Sequence, residues 1–199
     1  MLSGGLDEVG YGAWAGPYIS VVAVFDDASL ALLPPGVTDS KKLDDDRRRA
    51  LYLPLCSTAV DVGIGHAWPW EIDSLGAAAA LQLCYRRAVE ELKHLPQMLI
   101  VDGSNRVKAF RGHQTVEPKA DFKYKQVGAA SIIAKHFRDE IMRSYAQQFP
   151  QYNWAVNKGY GTKDHEDAIH KHGLLVDDAN HTRYLHRRLY TRKVLLRKT

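Results

Sequence analysis

The sequence predicts an α/β fold with a mixed central sheet flanked by helices. Three features of the chain lead there. Short β-branched and apolar runs at residues 2–7, 18–25 and 60–67 have the composition of strands. Long segments of helical periodicity follow at residues 74–94 and 125–149. A buried run at residues 97–101 lies between those two segments, so strands give way to helix, strand, helix.

Residues 2–7 form an apolar run that ends at Asp7, and residues 18–25 (YISVVAVF) have the character of a buried strand. The turn between them, VGYGAWAGP, is rich in glycine. With residues 60–67, these strands predict an antiparallel meander. Residues 44–57 read as a helix with Asp44, Asp45 and Asp46 at its positive N-terminal end. Residues 74–94, rich in Ala and Leu, predict one long helix capped by Ser74 or Asp73. Residues 97–101 (QMLIV) form a buried strand leading into Asp102. Residues 125–149 predict a second long helix, with Ala129, Ile132, Ile133 and Phe137 among its apolar positions. Residues 162–172 predict a shorter one that stops before Gly173.

A chain of 199 residues suits one large domain with a small appendage. No apolar run approaches the roughly 20 residues needed to span a bilayer. Asp7 and Glu8 interrupt the start too early for a secretory signal, so a reducing, cytoplasmic setting is expected. Cys56 and Cys84 lie in apolar stretches without metal-ligand spacing and are read as buried free thiols. His66, His94 and His113 read as surface or packing residues, and His165, His170 and His172 do not predict a metal site. Trp14, Trp68, Trp70 and Trp154 read as core or turn aromatics, with Trp14 the candidate for another role because it adjoins the glycine-rich loop.

The net charge is +4, and mild basicity alone says little about nucleic acid. Its distribution says more. Arg183, Arg187, Arg188, Arg192, Lys193, Arg197 and Lys198 crowd the C-terminus with no acid among them. Taken alone, that tail reads as a solvated helix face.

The acids point to chemistry. Asp7 and Asp102 follow predicted strands, and adjacent strands would bring those ends together. Asp121 precedes a long helix and could face the same place. Clustered carboxylates repel one another and raise each other's pKa, and a divalent cation relieves the repulsion. Oxygen ligands favour magnesium or manganese over zinc. Two such ions roughly 3.5–4 Å apart can activate water and stabilise the leaving oxygen of a phosphodiester. Spacing alone does not establish this, because acids at strand ends are common and Asp102-Gly103 is an ordinary turn dipeptide.

Whole motifs add to the spacing. GGLDEVGYGAWAGP (residues 4–17), TDSKKL (38–43), VDG (101–103) and KADFKYKQVGAASIIAKHFRDEIM (119–142) occur in order. FPQYNWAVNKGYGTKDH (149–165) and HRRLY (186–190) follow. Together they resemble the signatures of ribonuclease HII, the second type of ribonuclease H, over nearly the whole chain. The resemblance implies a ribonuclease H-like fold, with a catalytic domain at 1–172 and a small, basic, helical C-terminal extension at 173–199 on or near the substrate groove. It implies an endonuclease that cuts the RNA strand of RNA–DNA hybrids, and DNA at embedded ribonucleotides, leaving 3′-hydroxyl and 5′-phosphate ends. By matching position, Asp7, Glu8, Asp102 and Asp121 would be the catalytic acids, holding two Mg2+ or Mn2+ ions with substrate bound. Gly10, Tyr11 and Gly12 would approach the ribose 2′-hydroxyl. Lys41 and Lys42 would contact phosphates, Ser131 and Lys135 would hold the backbone, and Tyr160 would stack on the neighbouring deoxyribose. For Ser131 and Lys135, helix packing and solvation are the plainer alternatives. The expected state is a monomer with no membrane partner.

The chain departs from the family pattern in four places. Tyr11 replaces the arginine of Gly-Arg-Gly, which removes a charged fork of donors and suggests weaker binding or an altered substrate preference. Gly161 replaces a proline, so the Tyr160 loop is expected to be more mobile. Tyr190 replaces phenylalanine and adds a hydroxyl that needs a partner if buried. The segment LVDDANHTRYLHRR is longer than the usual link into its motif. The alternative reading is a ribonuclease H-like nucleic-acid-binding protein with weakened or altered junction specificity, and four intact acids speak against a binding-only role. Ribonuclease HIII carries an extra N-terminal domain, and a signature beginning at Gly4 is not expected to accommodate one.

Overall fold

A computed structural model describes residues 1–37, 40–176 and 180–196, with the side chains of Lys41 and Leu196 outside the description. The predicted mixed sheet is present. Its strands are β1 (Ser3–Val9), β2 (Tyr18–Phe25), β3 (Asp61–Ala67), β4 (Met98–Asp102) and β5 (His113–Glu117), in the spatial order β3-β2-β1-β4-β5. β1 pairs antiparallel with β2 and parallel with β4, and β4 pairs parallel with β5. The helices are α1 (Asp27–Ala31), α2 (Asp45–Thr58), α3 (Pro69–Leu75), α4 (Ala77–Glu90), α5 (Lys125–Gln148), α6 (Trp154–Asn157), α7 (Lys163–His172) and α8 (Arg188–Leu196). Among the described residues, no helix is long and apolar enough to cross a membrane.

The chain forms two compact units. The first comprises Met1–Val9, Ile19–His66 and Gln82–Phe137 and holds nearly all of the sheet. The second comprises Gly10–Tyr18, Ala67–Leu81 and Arg138–Thr199.

In the first unit every residue of β2 is buried, as its unbroken apolar run requires. β1 lies against the start of α5 so closely that a Cβ on Gly5 would sit 2.2 Å from the backbone carbon of Gln126. That approach fixes α5 beside the strand that carries Asp7. α2 begins where the acids predicted: Asp44 caps it by accepting the Arg47 N–H at 2.7 Å, and Asp45 and Asp46 fill its first turn. Cys84 is buried, with its thiol donating to the Gly65 carbonyl, while Cys56 is half-buried, and neither forms a disulfide.

Two elements differ from expectation. The long helix over 74–94 is broken. Gly76 has φ +80° and ends α3, and α4 begins at Ala77. Asp73 and Ser74 therefore lie inside α3 and cap nothing there. The Asp73 carboxylate instead accepts the N–H groups of Arg188 and Leu189 at 2.7 and 2.8 Å, capping α8 from a distant part of the chain. The second difference is β5 (HQTVE), a polar strand at the sheet edge with no apolar alternation to announce it.

The core of the second unit gathers Met142, Tyr152, Trp154, Ile169, Leu185 and Val194, with Trp14 packed at its margin. Two of its largest buried side chains are arginines, Arg138 and Arg187.

Candidate active site

In the first unit, parallel pairing of β1 with β4 places Leu6 opposite Val101. Asp7 and Asp102 are the next residues of each strand, so they lie side by side where the pairing of β1 with β4 ends. Asp7 is only 8% exposed. Burial, then the charge of Glu8 and more weakly that of Asp102, push its carboxyl up to about 8. A hydrogen bond with Ser131 and the Glu8 N–H, which donates to Asp7 Oδ1 at 2.7 Å, partly oppose that shift. Ser131 Oγ also lies 2.9 Å from Ser40 Oγ.

The other acids are held from separate elements. Tyr85 on α4 donates its hydroxyl to Glu8 Oε2 at 2.7 Å. Asp102 Oδ1 accepts the Ala120 N–H at 2.8 Å, which ties the end of β4 to the short turn Ala120–Phe122. Asp121 lies in that turn and is 8% exposed. The structure thus brings Asp7, Glu8 and Asp102 into mutual influence and fastens the Asp121 segment to Asp102. Among the described residues, no three His, Cys, Asp or Glu side chains already stand at metal-ligand spacing.

Around the acids, Ser131 is buried on α5 and Lys135 is half-buried one turn later. Lys42 is exposed, with its ammonium 4.1 Å from the centre of the Phe122 ring. The side chain of Lys41 and residues 38–39 of the TDSKKL motif lie outside the described residues.

In the second unit, two buried arginines organise the glycine-rich loop. Arg138 donates from Nε to the Pro17 carbonyl, from Nη2 to Ala15 and from Nη1 to Lys158, at 2.9–3.0 Å. Arg187 donates from Nε to Gly16 at 2.8 Å and from Nη1 to Gly10 at 2.7 Å, with its guanidinium 4.5 Å from the Tyr18 ring centre. Arg187 was expected on a solvated face, but it is completely buried as the organiser of this loop. Gly10 has φ +92°, and a Cβ there would sit 2.4 Å from Arg138 Nε. Gly12 has φ +77° with open space around it. Only Gly12 offers its backbone outward, and Gly10 serves the packing. Tyr11 is half exposed and stacks on Tyr18 at 5.6 Å.

The Tyr160 loop, expected to be more mobile because of Gly161, is held by several contacts. A Cβ on Gly161 would sit 2.3 Å from the Trp14 indole, so Trp14 fills the space beside it. The Trp14 N–H donates to the Gly159 carbonyl at 2.8 Å, and the Thr162 N–H donates to Tyr160. Arg138 lies 5.3 Å from the Tyr160 ring centre. Tyr190 finds the partner its hydroxyl needs, Tyr18 Oη at 2.5 Å.

Behind that loop lies a buried histidine pair that sequence reasoning passed over. His186 Nδ1 accepts the Leu175 N–H at 3.0 Å, which leaves its proton on Nε2. That nitrogen faces His165 Nε2 at 3.3 Å, which also accepts from the Trp154 indole at 3.1 Å. His165 Nδ1–H then donates to the Tyr160 carbonyl at 2.9 Å. The two donors share the single lone pair of His165 Nε2, which exists only while that ring is neutral, just as His186 Nδ1 accepts only while its own ring is neutral. Desolvation lowers both pKa values, that of His186 to about 3, with His165 adding to the latter. Below pH 6.5 the unfolded chain takes up protons that the folded chain refuses, so stability is lost as pH falls toward 3. The expected slope is about 1.4 kcal/mol per pH unit per histidine. Urea unfolding between pH 7.5 and 4.5 should show a smaller slope in His186→Gln than in wild type. Equal slopes would dismiss the histidine contribution.

A family model described as ribonuclease HII matches residues 4–193. The chain belongs to the ribonuclease HII family. It is 40% identical over 171 residues to the ribonuclease HII of Prochlorococcus marinus subsp. pastoris, covering 85% of this chain and 82% of that one. It is 37% identical over 190 residues to that of Shewanella loihica, covering 93% and 88%. Among solved structures, ribonuclease H2 from Pyrococcus horikoshii superposes with a TM-score of 0.82 at 28% identity, covering both chains completely. A ribonuclease HIII, Bst-RNase HIII in complex with Mn2+, superposes at 0.77 with 19% identity, over 98% of this chain and 70% of that one, and shows the fold alone. As a ribonuclease HII, the protein is a ribonuclease H, a hydrolase that acts on RNA–DNA hybrids. Its sheet and helices are the ribonuclease H-like fold.

Proposed function

We propose that this ribonuclease HII is a metal-dependent endonuclease whose phosphodiester cleavage leaves a 3′-hydroxyl and a 5′-phosphate. Its substrates are RNA–DNA hybrids and DNA duplexes with embedded ribonucleotides, and it works as a cytoplasmic monomer. One observation carries the reading: a desolvated Asp7 lies beside Asp102 where the pairing of two parallel strands ends, and Glu8 adjoins it.

The donor set fits hard divalent cations. All four candidates are carboxylates, and the main influences on Asp7 include two neighbouring carboxylates and no cation. Asp7, Glu8, Asp102 and Asp121 would hold two Mg2+ or Mn2+ ions with substrate present. When bound, such ions supply an activated water and charge stabilisation at the leaving oxygen. The chain's residues do the rest. Tyr85 orients Glu8, the Ala120 N–H orients Asp102, and Ser131 with the Glu8 N–H orients Asp7. Lys41, Lys42 and Lys135 supply positive charge for phosphates. Gly12 and Tyr11 read the ribose, with Gly10 shaping their turn, and Tyr160 contacts the adjoining deoxyribose. The basic extension at 173–199 is assigned to a place on or near the substrate groove.

The test is cleavage of three labelled duplexes in Mg2+ or Mn2+: an RNA–DNA hybrid, DNA with one ribonucleotide, and plain DNA. Cleavage of plain DNA at a comparable rate would refute the assignment, and binding of all three without cleavage would favour the binding-protein reading. Tyr11→Arg, measured on the first two, should raise kcat/KM by about 5–30-fold, with unequal gains, because it supplies a charge-assisted contact worth roughly 1–2 kcal/mol. Unchanged specificity constants would show that Tyr11 is not a substrate contact.

A further inference from the structure

The second unit carries a cavity of about 570 Å³ between α3 and α8, within the roughly 300–1,000 Å³ range of small-ligand sites. Its wall combines Trp70 and Tyr184 with Arg188 and Arg192, one turn apart on α8. Among the described residues one acid, Asp73, also lines it. Both of its oxygens are engaged, with Tyr184 Oη donating to Oδ2 at 2.9 Å beside the two α8 N–H groups. The N-terminus of α8 thus offsets that carboxylate, and the cationic side chains lining the cavity are Arg188, whose guanidinium lies 5.8 Å from the Tyr184 ring centre, and Arg192. Aromatic faces beside guanidinium groups suit a ligand with a planar ring and a phosphate.

His181 occupies the aromatic face. Its ring lies parallel to Trp70, 4.6 Å between centroids and 11° between planes, and edge-on to Tyr184 at 6.1 Å. Trp70, His181 and Tyr184 also line a second cavity of about 400 Å³, so the imidazole stands at the boundary of both. The backbone of His181 has φ +59°, a left-handed conformation that a Cβ disfavours. The residue comes from the segment that is longer than the family's usual link, and its side chain is exposed despite the stack.

We propose that this cavity binds an unpaired nucleotide of a nucleic-acid strand, whose base displaces His181 from Trp70 and whose phosphate meets Arg188 and Arg192. The planar imidazole occupies the place that the base takes. The inference does not depend on the assignment of the four acids.

The experiment follows the Trp70 indole N–H resonance of the full-length protein by NMR, assigned with Trp70→Phe. The probes are hexadeoxyadenylate, deoxyadenosine 5′-monophosphate and inorganic phosphate. The oligonucleotide should shift the resonance at about tenfold lower concentration than the mononucleotide, and phosphate alone should not shift it. Trp70→Ala should weaken oligonucleotide binding at least fivefold, as loss of one stacking platform does. His181→Gly should tighten binding about threefold or more, and Arg192→Gln should weaken it about as much. Cleavage of a blunt hybrid should be unchanged in Trp70→Ala. A shift with phosphate alone, equal affinity for the two nucleotide probes, or affinities insensitive to both His181→Gly and Arg192→Gln would overturn the proposal.

Discussion

Asp7→Asn is expected to reduce hybrid cleavage by at least about 10³-fold while making the metal-free protein more stable. The two effects share one cause. Asp7 sits among carboxylates where water is excluded, with its carboxyl pushed up to about 8. In the unfolded chain that group ionises near 4, and in the folded chain it keeps its proton until about pH 8. Stability is therefore lost as pH rises through that window, at about 1.4 kcal/mol per unit, and the deficit near neutrality reaches a few kcal/mol. Asparagine has the same shape, still accepts the Glu8 N–H and carries no charge to desolvate. The variant should unfold at higher temperature than wild type at pH 7.5 in chelator, and the gap should close by pH 4. The same charge is what a divalent cation would use, and removing one electrostatic contributor to a transition state costs roughly 10²–10³ or more. Added Mg2+ or Mn2+ should raise the melting temperature of wild type and leave Asp7→Asn unmoved, because only a ligand that binds the folded state stabilises it. A variant retaining a tenth of the activity, or one less stable than wild type in chelator, would remove Asp7 from the proposed role.

The parts of this site that the sequence revealed are those governed by local pattern. β2 has no polar residue but Ser20 in YISVVAVF, and a strand buried on both faces has to look that way. Asp7 and Asp102 were legible as ends of apolar runs, and parallel pairing of those runs puts them together. What stayed hidden depends on partners far away in the chain. β5 is held by backbone bonds to β4, so its side chains were free to be polar. The segment over 74–94 is otherwise strongly helical in composition, and a single glycine, Gly76, divides it by taking a positive φ. His165 and His186 lie 21 residues apart, and nothing in either neighbourhood marks them as a pair. Trp14 occupies the space beside Gly161, a compensation visible only once the two loops are seen in contact.

Arg138→Met is expected to destabilise the protein by about 3–5 kcal/mol, lowering the melting temperature by roughly 6–20 °C. The side chain is fully buried and its volume is nearly matched by methionine, so packing is largely kept. What is lost is three hydrogen bonds at once, to the carbonyls of Ala15, Pro17 and Lys158. Each carbonyl left without a donor in the interior costs about 1–3 kcal/mol. Part of that is returned, because a buried guanidinium beside a second one, Arg187, is itself unfavourable, and both burial and Arg138 push the Arg187 pKa down. Arg138→Lys separates charge from geometry. A lysine ammonium keeps the charge, but it is a point donor on a flexible stem and cannot span three carbonyls drawn from two stretches of chain. It should lose at least half as much stability as the methionine variant. Because Ala15 and Pro17 belong to the loop that also carries Tyr11 and Gly12, KM for the ribonucleotide duplex should rise in Arg138→Lys at temperatures where it is fully folded. Wild-type stability in Arg138→Lys would mean that charge alone holds the loop, and an unchanged KM would separate the loop from substrate binding.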